Sequence, residues 1–306
     1  MKKYIILVIL SIFSTMSWAQ QDAMYTQYMF NTLAINPAYA GSRNVISATA
    51  LYRNQWTGID GAPRTGTLTV DAPIMNKRLG IGFQVFSDKL GVTQTTGGSA
   101  ALAYRIRLEK GSLAFGIQTS MSHFNARYSS ISLGGNQSFD PAFVNDASKV
   151  LFNVGTGVYY NSDKFYLGLS AQDLLTNKLN NSGNGDALQA SQVPHLFLTA
   201  GYVFPLSSDF KLKPSFLIKG VKGAPIEADL NASLWIKDVL AIGAGYRSSA
   251  DIAALLEVQA TPQLRFGYSY DRSTTQLRNF NSGSHEIMLR YEFGFERNKI
   301  ISPRFF

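Results

Sequence analysis

The residues best suited to acid–base or metal chemistry in this 306-residue chain are three histidines, His123, His195 and His285, and there is no cysteine. The histidines lie far apart in sequence. No H-x-x-x-H spacing and no glycine-rich phosphate loop accompanies them, so neither a metal centre nor a nucleotide site has a framework to build on. His285 and Glu286 are neighbours, but adjacent side chains on a strand point to opposite faces and cannot act as a dyad. The expectation is therefore of no catalytic residue, no cofactor and no metal ligand, with the histidines read as loop-edge or packing residues.

Composition narrows the class. Apolar residues make up 45% and charged residues 16%, which excludes disorder. Lys and Arg exceed Asp and Glu by a formal +8, a balance that suits anionic lipid, an acidic partner or nucleic acid. No basic run or nucleic-acid motif is present, so lipid and protein partners are expected and nucleic acid is not. The counts of 26 Gly, 15 Tyr and 20 Phe fit aromatic-rich strands.

Lys2 and Lys3 precede an apolar run over 4–13, followed by Ser17, Trp18 and Ala19. That order is a secretory signal peptide, with cleavage after Ala19. The run is shorter than the ~20 residues of a helical span, and no Cys follows for lipid anchoring.

Beyond residue 20, no apolar stretch reaches the ~18 residues of a membrane helix; the recurring pattern is alternation. Ile287, Leu289, Tyr291, Phe293 and Phe295 share one face of a strand whose other face carries Glu286, Met288, Arg290, Glu292 and Gly294. Similar segments begin near Asn44, Arg64, Leu79, Thr93, Ser112, Val150, Lys164, Leu196, Phe210, Ile226, Val239, Ala250 and Leu264. The count is about fourteen, even as in single-chain bacterial barrels. Short links at 109–111, 161–163, 206–209, 236–238 and 261–263 alternate with long polar links at 126–149, 172–194 and 272–284.

The second face decides between a soluble sandwich and a membrane barrel, because a sandwich fills its interior with apolar side chains. Here that face carries Arg53, Arg105, Arg107, Lys211, Lys213, Lys219, Lys237, Arg247, Arg265 and Arg290. Opposed to them are Asp71, Glu109, Asp229, Glu257, Asp271, Glu286 and Glu292. Glycines on the same face, such as Gly80, Gly116, Gly157 and Gly267, leave room for the long side chains. The fold expected is all-β, a transmembrane antiparallel up-and-down β-barrel of outer-membrane type. The chain divides into a signal peptide (1–19), a periplasmic N-terminal segment (20–43), the barrel (44–295) and a periplasmic C-terminal tail (296–306). In the N-terminal segment, Met24, Tyr28 and Ile35 would line one side of a short helix packed at the periplasmic mouth. Asn36-Pro37 ends that helix, and Gly41 permits a tight turn into the first strand.

Several motifs are more distinctive than the alternation. Asn36-Pro37-Ala38-Tyr39-Ala40-Gly41-Ser42 precedes the first strand, and Arg53-Asn54-Gln55-Trp56 closes it. Pro194-His195, Gly267-Tyr268-Ser269-Tyr270-Asp271 and Ser284-His285-Glu286 follow, and the chain ends in Ser302-Pro303-Arg304-Phe305-Phe306. Together they resemble the PorP/SprF family, over 27–306. The resemblance implies an outer-membrane component of the type IX protein secretion system, supporting secretion or surface display of cargo, including gliding or adhesion proteins. Its partners would be other secretion subunits and secreted cargo proteins. Asn36, Pro37, Ala38, Tyr39, Gly41, Arg53, Gln55, Trp56, Arg304, Phe305 and Phe306 are then candidate partner contacts. Trp56 reads equally as an interfacial anchor. A porin-like solute channel is the alternative, since it needs only an even-stranded barrel with a polar lumen.

Overall fold

The computed structural model describes residues 25–130, 146–179, 191–248 and 250–293. Residues 1–19, expected to be a signal peptide, and the tail, including Arg304, Phe305 and Phe306, lie outside the described residues. The first seven strands are β1 (Ile46–Asn54), β2 (Arg64–Ile74), β3 (Leu79–Leu90), β4 (Thr93–Leu108), β5 (Gly111–Ala126), β6 (Ala147–Asn161) and β7 (Phe165–Gln172). The second seven are β8 (His195–Tyr202), β9 (Phe210–Val221), β10 (Glu227–Ile236), β11 (Leu240–Arg247), β12 (Asp251–Gln259), β13 (Leu264–Ser273) and β14 (Ser284–Phe293).

Each strand pairs antiparallel with its neighbours in sequence, and β1 closes on β14 from Ile46↔Phe293 to Asn54↔His285. Fifteen strands share the sheet; one is the two-residue stub Phe204–Pro205, and the other fourteen form a closed up-and-down barrel. The expected fold class and the strand starts read from alternation are both found. Closure leaves no unpaired strand edge, which a hydrocarbon environment requires.

The faces are inverted relative to a soluble protein. On β14, Ile287, Leu289, Tyr291 and Phe293 point outward and are exposed, while Glu286, Met288, Arg290 and Glu292 are buried inside. The same holds on β2, where Leu68 and Val70 face out and Thr65, Thr67, Thr69 and Asp71 face in. An apolar belt surrounding a polar interior is what lipid outside and a wet or filled lumen inside select. Of the residues assigned to the lumen, Lys237 and Glu109 instead sit in turns and are exposed, because the strands end before reaching them.

All links at one end of the barrel are short, at 75–78, 109–110, 162–164, 203–209, 237–239 and 260–263. The other end carries the long links at 127–146, 173–194 and 274–283, together with 55–63. At the base of the first of these, the Ser129 backbone N–H holds the Asp146 carboxylate below its usual range.

The N-terminal segment departs from expectation. Among the described residues no helix packs at the mouth: residues 25–43 run through the lumen as three 3₁₀ turns, Tyr28–Phe30, Thr32–Ala34 and Pro37–Tyr39, with nearly every residue buried. Met24 lies outside the described residues. Pro37 and the non-helical backbone of Asn31 (φ −130°, ψ 53°) break the path into single turns. The segment's apolar side chains meet the apolar residues that the strands' inner faces do carry. Leu33, Ala38, Tyr39 and Ala40 pack on Ala101, Ala103, Ala114, Tyr159 and Tyr166 of β4–β7. Tyr28, Met29, Phe30 and Ile35 pack on Phe197, Leu217, Leu255 and Met288 from the opposite side.

Candidate functional site

Three sets of contacts hold the segment, and each uses residue types placed on inward faces by strand alternation. The first lies toward the long-link end. The Glu286 carboxylate accepts the backbone N–H groups of Thr26 at 2.9 Å and Gln27 at 2.8 Å. Arg53 Nη1 lies 2.6 Å from Asp271 Oδ2 and 3.1 Å from Glu286 Oε2, so one guanidinium bridges two carboxylates. Thr26 Oγ1 accepts from Arg53 at 3.0 Å and donates to Asp271 at 2.7 Å. Tyr25 OH bonds Thr67 Oγ1. Burying such charges is tolerated only because each is paired and hydrogen-bonded.

The second set grips the middle. Asn36 Nδ2 donates to the Val158 carbonyl at 3.0 Å, and Asn36 Oδ1 accepts from Ala38 N at 3.0 Å, capping the turn that begins at Pro37. Ser170 Oγ donates to Ile35 O at 2.5 Å, Gln172 Nε2 to Ala34 O at 3.1 Å, and Thr69 Oγ1 to Asn31 Oδ1 at 2.9 Å. Glycine lets the two backbones meet here. A Cβ on Gly116 would stand 2.2 Å from Ala38 N, and one on Gly157 would stand 2.2 Å from Asn36 Oδ1. The inward glycines read as room for long barrel side chains thus accommodate the segment itself at these positions, although Gly201 and Gly243 do face barrel side chains.

The third set lies toward the short-turn end. Gly41, at φ +68°, turns the chain and donates its N–H to Asp71 Oδ2 at 2.8 Å. Arg105 donates to Gly41 O at 2.8 Å and to Ala40 O at 2.9 Å, and Arg43 pairs with Glu292. From Glu286 to Glu292 along β14 the strand rises about 20 Å, so the segment crosses most of the barrel's height.

Asn36, Pro37, Ala38, Tyr39, Gly41 and Arg53 accordingly face one another or the barrel wall inside the lumen, all buried. Gln55 and Trp56 are separate from them, half-buried in the link 55–63. There Trp56, at φ +49°, donates its N–H to Ser284 Oγ at 3.1 Å. The three histidines do not converge: His123 meets Ser148 at 2.9 Å, His285 meets Tyr268 at 2.7 Å, and His195 lies 3.8 Å from Asp173.

The sequence reading missed Glu286, Asp271, Asp71, Arg105 and Ser170 as ligands of the segment. One signal was available: Tyr28, Met29, Phe30, Leu33, Ile35 and Tyr39 are too apolar for a solvated leader, and the inward glycines mark where a backbone comes close.

A closed barrel with a lipid-facing apolar belt, its lumen filled by its own N-terminal segment, defines an outer-membrane protein. The chain matches the family described as "Type IX secretion system membrane protein PorP/SprF" over residues 17–291. It belongs to the PorP/SprF family and resides in the outer membrane. No curated protein matches it in sequence. Among solved structures, a Pseudomonas aeruginosa FadL homologue is similar at 13% identity and TM-score 0.47, covering 92% of this chain and 96% of that one. Acinetobacter baumannii Omp33 is similar at 9% identity and TM-score 0.45, covering 81% and 96%. KdgM porin is similar at 10% identity and TM-score 0.41, covering 81% and 99%.

Proposed function

We propose that this protein serves the type IX secretion system by binding rather than by conducting or by chemistry. It supports secretion or surface display of cargo through contacts with cargo signal domains or with other machine subunits. The observation that carries this reading is the filled lumen: residues 25–43 occupy the space a solute would cross, and their contacts reach strands on all sides. A barrel so occupied presents rims and loops to partners and supports a binding role over that of a solute channel. Gliding or adhesion would depend on it only where the cargo is an adhesin.

The test is deletion of the gene followed by surface proteomics and nutrient-uptake assays. One class of exported proteins should vanish from the surface, degraded or released, while uptake of small nutrients continues nearly unchanged. An intact surface proteome with a specific uptake defect would favour the channel.

A further inference from the structure

At the short-turn end, a cleft of about 280 Å³ opens beside the point where the N-terminal segment leaves the lumen. Lys77, Arg105, Arg107, Ser112 and Asn161 line it, with Asp163 as the one acidic residue on its wall. Arg105 is 5% exposed, and its Nε has no hydrogen-bond partner among the described residues, while its two Nη atoms hold Ala40 and Gly41. With its donors committed or sealed from solvent, Arg105 contributes positive charge to the floor of the cleft and not a hydrogen bond to a ligand. Lys77 and Arg107 are exposed at the mouth. Met75, Asn76 and Lys77 take left-handed backbone angles, φ +46°, +56° and +66°, uncommon for three consecutive L-residues. Arg107 donates to Asn76 O at 3.1 Å beside this turn. The neighbouring turns add Arg78, Lys110 and Lys164 against Glu109.

We infer that this cleft is a docking site for an acidic peptide segment of another protein, with the exposed Lys77 and Arg107 receiving its carboxylates and the buried charge of Arg105 behind them. Lipid headgroups fit less well. On β4, Tyr104 and Ile106 are exposed on the bilayer side, whereas Arg105 and Arg107 alternate onto the lumen side; Leu108, at the strand end, is the one apolar side chain on the cleft's wall, which is otherwise polar, charged or glycine. The chain's own tail carries Arg297, Lys299 and Arg304 and has the wrong charge. The cleft accommodates a few side chains, the size of a peptide contact and not of a folded domain.

The test uses the full-length protein in neutral detergent with a fluorescent oligoglutamate peptide, read by polarisation. The probe should bind saturably, weaken as salt rises, and lose about tenfold or more in affinity in the double variant Lys77→Glu/Arg107→Glu. Both side chains are exposed, so heat-modifiable gel migration should show that the variant still folds. An oligolysine peptide should not bind. Equal binding by the double variant overturns the proposal. So does displacement of the probe by inorganic phosphate at matching concentration, or by phosphatidylglycerol added to the micelles, since either would make the site a generic anion or headgroup site. The experiment contains no secretion machinery, so its outcome is separate from that of the deletion experiment.

Discussion

Arg53 shows how much rests on single side chains inside this barrel. It is 1% exposed and bridges Asp271 and Glu286, which are equally buried. Replacing it by Met keeps an unbranched apolar stem but removes the guanidinium that bridges the two carboxylates, a loss of about 3–5 kcal/mol by comparison with other broken buried pairs. The Arg53→Met protein should lose its heat-resistant fast-migrating gel form at a markedly lower temperature than the parent; an unchanged transition would mean that Thr26 and Gln27 suffice to hold Glu286. Gly116 answers a different question. Valine there would place methyl groups where the Ala38 backbone runs, 2.2 Å from the first added carbon. A folded Gly116→Val barrel should therefore expel the segment and show steady openings in planar bilayers, against a quiet parent. Silence from a folded variant would show that the lumen stays blocked without that contact.

The strands were legible because alternation is local: each strand announces both of its faces within ten or so residues, and lipid on one side enforces the pattern throughout. That makes register testable. Leu289→Arg would put a cation in the lipid belt at a cost of ~2–4 kcal/mol at mid-depth, whereas Arg290→Leu changes only the lumen. Assembly into the outer membrane, followed by heat-modifiable migration, should suffer far more from the first. The reverse ranking would demand a one-residue slip of β14. The segment 25–43 was not legible in the same way. Its turns carry no period, and what determines its path is distant in sequence: Glu286, Asp71, Arg105 and Ser170 reach it from different strands. Asn36-Pro37 and Gly41 were correctly read as a break and a turn. What they turn within, a cage of barrel walls, exists only after closure.

At the scale of the whole molecule, the segment converts a tube into a filled cylinder whose core lies inside the barrel, while the apolar residues outside meet lipid. Tyr25 and Thr26 sit against Thr67, Asp271 and Glu286, close to the long-link end, while Arg43 meets Glu292 at the short-turn end. Among the described residues the membrane is thus traversed by fourteen strands and, inside them, by one further stretch of the same chain, fifteen passes. An odd number of passes separates the two ends. Tyr25 lies toward the long-link end and Phe293 at the short-turn end. An epitope placed directly ahead of Tyr25 should be stained on intact cells together with epitopes at Gly135 and Gly183, in links outside the described residues, and one following Phe293 should stay hidden until the membrane is breached. Joint concealment of the first and last epitopes would contradict the threading. If the staining holds, this protein has already performed, on its own leading end, the act of passing polypeptide through an outer-membrane pore.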